Sequence, residues 1–381
     1  MKRWSSGLAF LGLSVLTVVL LTNADGSASP PSAAEPRIAF TSSRIAPQGV
    51  PVVELSVVNA DGSEKRRLLE TARSSPAHER RYPCSPGPCP VPYEPYELSS
   101  LPAWSPDGRW IAFVGMGDDA NADVYVVGAD GRGKRRLTRH PAVEGNPAWS
   151  PDGRKIAFTR RGPGFQIHTY VMDPDGSDQR RLTRNGGIHF SVAWSPNGQK
   201  LLFERPNSRH AGSAAAAARG EWPEELYIMN ADGGGQRRLT RNPARDGGPV
   251  WSPDGRQIVF TRWAERQQIW VMNSDGSGQR NLTPARTVSF VPALSPDGRK
   301  IAFAGGSRVA FPNGIIVMNA DGSKQRRLTQ TGSFPAWSPD GRMIAFDRAG
   351  LHVMNADASG ERKLTLRLMS FAWSPTLPKR S

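Results

Sequence analysis

The chain has 381 residues, with 49 Lys and Arg against 34 Asp and Glu, six His and two Cys. About 345 residues remain after the N-terminal segment, an ordinary length for one large domain, and two cysteines alone cannot build a metal centre. The net charge of +15 raises nucleic acid as a partner, a reading that the distribution of the charge must support or exclude.

Lys2 and Arg3 precede a 14-residue apolar run, Leu8 to Leu21, interrupted by Gly12, Ser14 and Thr17. The run is short for a membrane span and has the pattern of a secretory signal over residues 1–28, cleaved after Ala24 or Ala28; an uncleaved anchor is the alternative. No Cys follows the run, which argues against a lipid anchor. The Ser-, Ala- and Pro-rich stretch 29–36 is expected to be a flexible lead. An exported chain, periplasmic or extracellular, with no transmembrane segment in its mature part, is the expectation.

From there on one phrase repeats. Trp-Ser-Pro begins at Trp104, Trp149, Trp194, Trp251, Trp337 and Trp373, and Leu294 heads a copy that keeps Ser295 and Pro296. Successive copies lie 45, 45, 57, 43, 43 and 36 residues apart, the period of a propeller blade and not of a helical solenoid. In the unit Ala148 to Thr183 a short strand ends in the turn Pro151-Asp152-Gly153. Ile156 to Phe158 and Thr169 to Met172 follow as a hairpin, and Asp175-Gly176 turns the chain into a fourth strand around Arg180.

The second strand occurs seven times, at Ile38, Ile111, Ile156, Leu201, Ile258, Ile301 and Ile344. The first copy has no Trp-Ser-Pro strand before it, and the last Trp-Ser-Pro strand has no second strand after it. The two complete one blade, because a closed ring leaves no open sheet edge. The fold class is therefore all-β: a seven-bladed propeller of four-stranded antiparallel blades over residues 37–378, closed by pairing of the C-terminal strand with the N-terminal blade.

Two insertions interrupt the period, 71–100 and 206–223. The first holds both cysteines, and in an oxidising compartment Cys84 and Cys89 are expected to form a local disulfide. The second carries the run Ala214 to Ala218, which suits either a short helix or a protruding loop.

The phrases Ala336-Trp337-Ser338-Pro339-Asp340-Gly341-Arg342, Ile344-Ala345-Phe346 and Val353-Met354-Asn355-Ala356-Asp357 resemble the TolB-like, or WD-like, propeller repeat. The resemblance covers nearly the whole mature chain and implies the fold more than the function. Such repeats serve periplasmic translocation proteins, prolyl-oligopeptidase-type peptidases, sugar-acid lyases and other secreted proteins. The separate α/β domain that precedes the propeller of TolB is not expected here, since the first strand is placed already at Arg37.

Most repeated residues have structural explanations. Trp fills the wedge between blades, its indole N–H meeting an acceptor. The turn aspartates Asp107, Asp152, Asp254, Asp297 and Asp340 are replaced by Asn197 in one blade, as turn chemistry allows. Ala358 stands where the other Asp-Gly hairpins have glycine and is expected to strain or shift its turn. The basic pairs of the fourth strand, such as Arg180-Arg181 and Arg237-Arg238, protect each blade's outer edge and lie around the rim, so nucleic acid is not expected as a partner.

No nucleophile elbow, zinc helix or phosphate loop is found, so no catalytic residue, metal or cofactor is assigned. Asp119, Asn121 and Asp123 alternate like the opening of a calcium loop, but Val124 stands where its glycine should be. If, as the resemblance implies, the Trp-Ser-Pro strand is innermost, the residues before it ring one opening of the channel: Glu144, Asn146, His189, Phe190, Asp246, Phe290, Phe334 and Phe371. These aromatics and acids suit a peptide or a sugar, or else simply plug the channel. The expectation is a monomeric, non-enzymatic scaffold for a protein or peptide partner. The alternative is a polysaccharide (sugar-acid) lyase or a carbohydrate-binding propeller, and a lyase would gather His140, His168, His189 and His352 around a metal.

Overall fold

In the computed structural model the described residues are 36–45, 51–72, 102–117, 121–162, 166–183, 192–206, 224–285, 287–306, 314–366 and 368–375. Residues 1–35, Cys84, Cys89, His189, Phe190 and nearly all of both insertions lie outside them. The described residues form seven four-stranded antiparallel sheets arranged as a propeller. Among them no helix is long and apolar enough to cross a membrane.

Blade 3 shows the plan, with strands Glu144–Trp149, Ile156–Arg161, Ile167–Met172 and Arg180–Arg181 in order from the axis outward. Antiparallel order gives the ring two distinct ends. At one end, here the turn end, the first strand turns into the second and the third into the fourth. At the other, the mouth end, the second strand leads to the third and the fourth strand crosses to the next blade.

The turn end is uniform because its side chains bond locally. In blade 3 the Ser150 hydroxyl donates to Asp152 Oδ1 at 2.6 Å, and Asp152 Oδ1 also accepts from Arg154 N at 3.0 Å. Asn197 accepts the same two bonds in blade 4, from Ser195 at 2.7 Å and Gln199 N at 3.1 Å, so the Asp-to-Asn change costs the turn nothing. Ala358 keeps the hairpin of its glycine counterparts. Its N–H donates to Asn355 O at 2.9 Å, but only by adopting φ 74°, where Gly176 and Gly322 lie at 93° and 92°. A Cβ disfavours that region, so Ala358→Gly is expected to raise the unfolding free energy by about 1 kcal/mol, measurable by urea titration.

The core consists of layers between blades. Ile38, Phe40, Phe371 and Trp373 of blade 1 pack on Ala336, Ala345, Leu351 and Val353 of blade 7. The tryptophans tie these layers with polar bonds. Trp194 Nε1 donates to Ala148 O at 3.1 Å and Trp337 Nε1 to Ala293 O at 3.1 Å, each reaching the innermost strand of the preceding blade. Trp149 Nε1 is buried without such a partner, and Leu294, which lacks the ring, is buried with Ile301 and Phe303.

The outer arginines do more than guard edges. Arg180 Nη1 donates to Asp232 O at 2.9 Å, Arg237 Nη1 to Asp275 O at 2.7 Å and Arg280 Nη1 to Asp321 O at 3.0 Å. Each arginine thus hooks the hairpin turn of the following blade. Arg362 Nη1 makes the same bond to Asp61 O at 3.1 Å, across the joint between the last blade and the first.

Closure follows the expected pairing. Ser370–Trp373 lies antiparallel to Arg37–Ile45, with Ile38 opposite Trp373 and Phe40 opposite Phe371. No turn links these strands, yet its hydrogen bonds are present: Ser374 N donates to Arg37 O at 2.7 Å, and Arg37 N donates to Ser374 Oγ at 3.0 Å. In blade 2, where a turn exists, Ser105 N donates to Trp110 O at 2.8 Å and Trp110 N to Ser105 Oγ at 2.9 Å.

Candidate functional site

Departures from the repeat collect at the mouth end. The innermost strands of blades 3, 5, 6 and 7 shift register between Gly145 and Ala148, Gly247 and Val250, Phe290 and Ala293, and Ser333 and Ala336. Each bulge puts one residue in the left-handed region: Asn146 at φ 49°, Gly248 at 64°, Val291 at 54° and Phe334 at 52°. Gly and Asn take that conformation readily, whereas a β-branched valine there is strained. The bulges let the first strand go on pairing beyond the short segment the sequence suggested, so Glu144 and Asp246 lie inside strands and not ahead of them.

Both acids are buried and held by arginines of their own blade. Asp246 takes two bonds from Arg262, Nε to Oδ1 at 2.7 Å and Nη2 to Oδ2 at 2.8 Å. Arg262 in turn lies over the rings of Phe260 and Trp270, at 5.3 and 4.2 Å. Blade 3 repeats the arrangement, with Arg160 Nε donating to Glu144 Oε1 at 2.6 Å above Phe158 and Tyr170. The second Glu144 oxygen has no partner, and burial pushes this carboxyl up to about 7, against the pull of Thr138 and Arg160.

The aromatics divide. Phe290 is buried with Val288, Val291 and Ala304, and half-buried Phe334 packs against that group as well as against the layer between blades 7 and 1. Phe371 is 1 % exposed and belongs to the same interblade layer. Asn146 is half-buried, its Nδ2 donating to Thr159 Oγ1 at 3.4 Å. Of the eight mouth residues, Phe290 and Phe334 share one apolar cluster, Glu144 and Asp246 anchor arginines in different blades, and His189 and Phe190 lie outside the described residues.

The arginine partners were missed in the sequence, although a signal existed. Phe158-Thr159-Arg160, Phe203-Glu204-Arg205, Phe260-Thr261-Arg262 and Phe346-Asp347-Arg348 share one pattern at the end of the second strand. His189 lies outside the described residues, and the other three histidines form no metal-binding group among them. His140 Nδ1 accepts from Ala142 N at 3.0 Å, and His352 lies 3.1 Å from Glu361 Oε1 on blade 7. Among the described residues no group of three or more His, Cys, Asp or Glu could hold a metal ion. Asp123 is bound to Arg136 at 2.6 Å, and Asp119 of the calcium-like motif lies outside the described residues.

Comparison with known proteins agrees with the architecture. The family model described as the TolB beta propeller domain matches residues 95–219 and 205–377. No curated protein matches the sequence. Among solved structures, a putative TolB from Agrobacterium tumefaciens has 21% identity and a TM-score of 0.51, covering 81% of this chain and 96% of its own. TolB from Acinetobacter baumannii has 18% identity and a TM-score of 0.51, with coverage of 88% and 83%. Oligogalacturonate lyase from Vibrio parahaemolyticus has 15% identity and a TM-score of 0.57, with coverage of 87% and 86%. At these identities the likeness is one of fold alone.

Proposed function

The chain belongs to the TolB beta propeller domain family, and we propose that it is an exported, non-enzymatic scaffold that binds a protein or peptide partner at the mouth end of its channel. The observation that carries this reading is the contrast between the two ends. The turn end repeats the same residues and bonds from blade to blade, as a scaffold requires. The mouth end carries the left-handed Val291 and Phe334, the partly exposed Phe334 ring and buried acids in blades 3 and 5 where blade 6 has Ser289. Left-handed residues other than glycine occur at both ends, with Glu64, Asp178, Lys324 and Ala358 at the turn end, so the reading rests on the irregular composition of the mouth and not on strain.

A photo-crosslinking side chain placed at position 334 or 146, in cells that export the protein, tests the reading. A discrete protein adduct is expected from these positions and none from 109 or 299 at the turn end. Adducts from the turn end alone would reverse the assignment. Cleavage of a polyuronate by the purified protein, seen as new unsaturated-sugar absorbance, would replace it with the lyase reading.

A further inference from the structure

We propose that Glu204 and Glu224 form a single proton-binding pair at the channel mouth, and that their shared proton keeps the innermost strand of blade 5 seated against blade 4. The two carboxyls are 3 % and 2 % exposed and stand on one face of paired strands, Glu204 opposite Leu226 and Glu224 opposite Pro206, so the two are buried side by side. Two carboxylates buried side by side repel each other, so one of the pair holds a proton.

The other bonds of the pair reach into blade 5. Glu204 Oε1 accepts from Gly248 N at 2.8 Å, at the bulge of the strand Arg245–Trp251, and Glu224 Oε2 accepts from Arg245 Nε at 2.7 Å. A Cβ on Gly247 would lie 3.2 Å from both Glu204 Oε2 and the Trp263 ring, so the backbone approaches the pair closely. The charged groups around it are Arg245 and Asp246 on that strand, Arg262 bound to Asp246 on the next, and Glu225 with Arg238 on blade 4. Glu225 is itself pushed up, chiefly by burial.

The repeat supplies the contrast. At the next joint the equivalent bulge N–H, that of Val291, is held at 3.2 Å by the hydroxyl of Thr261, which does not titrate. Ala122, Ile167 and Gln267 stand where Glu224 does in other blades. Those blades are built without this acid pair, which sets this joint apart from them. Glu224 is pushed up to about 8 by burial and by the neighbouring Glu204, so the shared proton stays through neutral pH. Above that value two adjacent anions compete for Arg245, and Glu204 releases the Gly248 N–H.

Amide hydrogen exchange of the purified full chain provides the test, with the Val291 amide as internal reference. Between pH 6 and pH 10 the exchange rate of Gly248 relative to Val291 should rise at least about tenfold. In Glu224→Gln, whose carboxamide donates to Glu204 without titrating, the ratio should stay constant. Glu204→Gln should behave in the same way and serves if the first variant does not fold. A carbon-13 titration of glutamate-labelled wild type should show a carboxyl titrating well above 6 that is absent from either variant. A constant ratio in the wild type, or every glutamate other than Glu144 and Glu225 titrating below 6, would overturn the proposal.

Discussion

Trp373→Ala is expected to lower the unfolding free energy by about 4 kcal/mol, and a chain ended at residue 369 is expected not to form the ring. Trp373 is 7 % exposed, packs in the layer shared by blades 7 and 1, and donates its indole N–H to Ala336 O at 3.1 Å. Truncation to alanine removes the ring's buried surface, opens a cavity the two blades cannot fill, and breaks the indole's bond to the neighbouring blade. Loss of the whole strand goes further. It exposes the edge of Arg37–Ile45, removes the buried Phe371, and turns a closed ring into an open arc with two unpaired edges. Urea unfolding followed by tryptophan fluorescence gives the comparison, with Trp149→Ala as reference because Trp149 Nε1 has no acceptor to lose. If Trp373→Ala costs clearly less than Trp149→Ala, the terminal strand is an accessory and not the closure.

The fold was legible because its residues recur. Trp, Ser-Pro-Asp-Gly and the second-strand Ile and Phe sit in one register across blades, and the mismatch between the two chain ends disclosed which strand completes blade 1. The mouth was legible only in part. Glu144 and Asp246 are placed at that end as the sequence suggested, but their arginines lie 16 residues further on, a distance that becomes contact only once the first and second strands are paired. Asn146 and Gly248 are residue types that announce a left-handed backbone, whereas Val291 and Phe334 adopt it against their own preference. Nothing local in those two residues signals a bulge. The basic fourth strands were explained by edge protection, and their bonds to the next blade's turn could not be inferred without knowing how far apart consecutive blades sit.

The acid–arginine pair of blade 3 has a consequence for pH dependence that runs opposite to ordinary acid denaturation. Glu144 has an ordinary value of 4.5 when unfolded and is pushed up to about 7 in the ring, first by burial. Between those values the folded protein holds a proton that the unfolded chain has lost. The unfolding free energy therefore falls as pH rises through that window, by roughly 3 kcal/mol in all. This contribution is fully present below about 4.5 and gone above about 7. Glu144→Gln should flatten that part of the profile, so the difference between variant and wild type changes steadily from pH 4.5 to 7 and then levels. Arg160→Met should do the reverse, because it leaves a buried carboxylate without its cation, and its cost should grow with pH towards about 3–5 kcal/mol at pH 8. Denaturant titrations at pH 4.5, 6, 7 and 8 on the three proteins separate the cases. A difference between Glu144→Gln and wild type that is constant across the window would mean that Arg160 keeps Glu144 ionised throughout. Burial would then be the smaller force at this joint and the ion pair the larger.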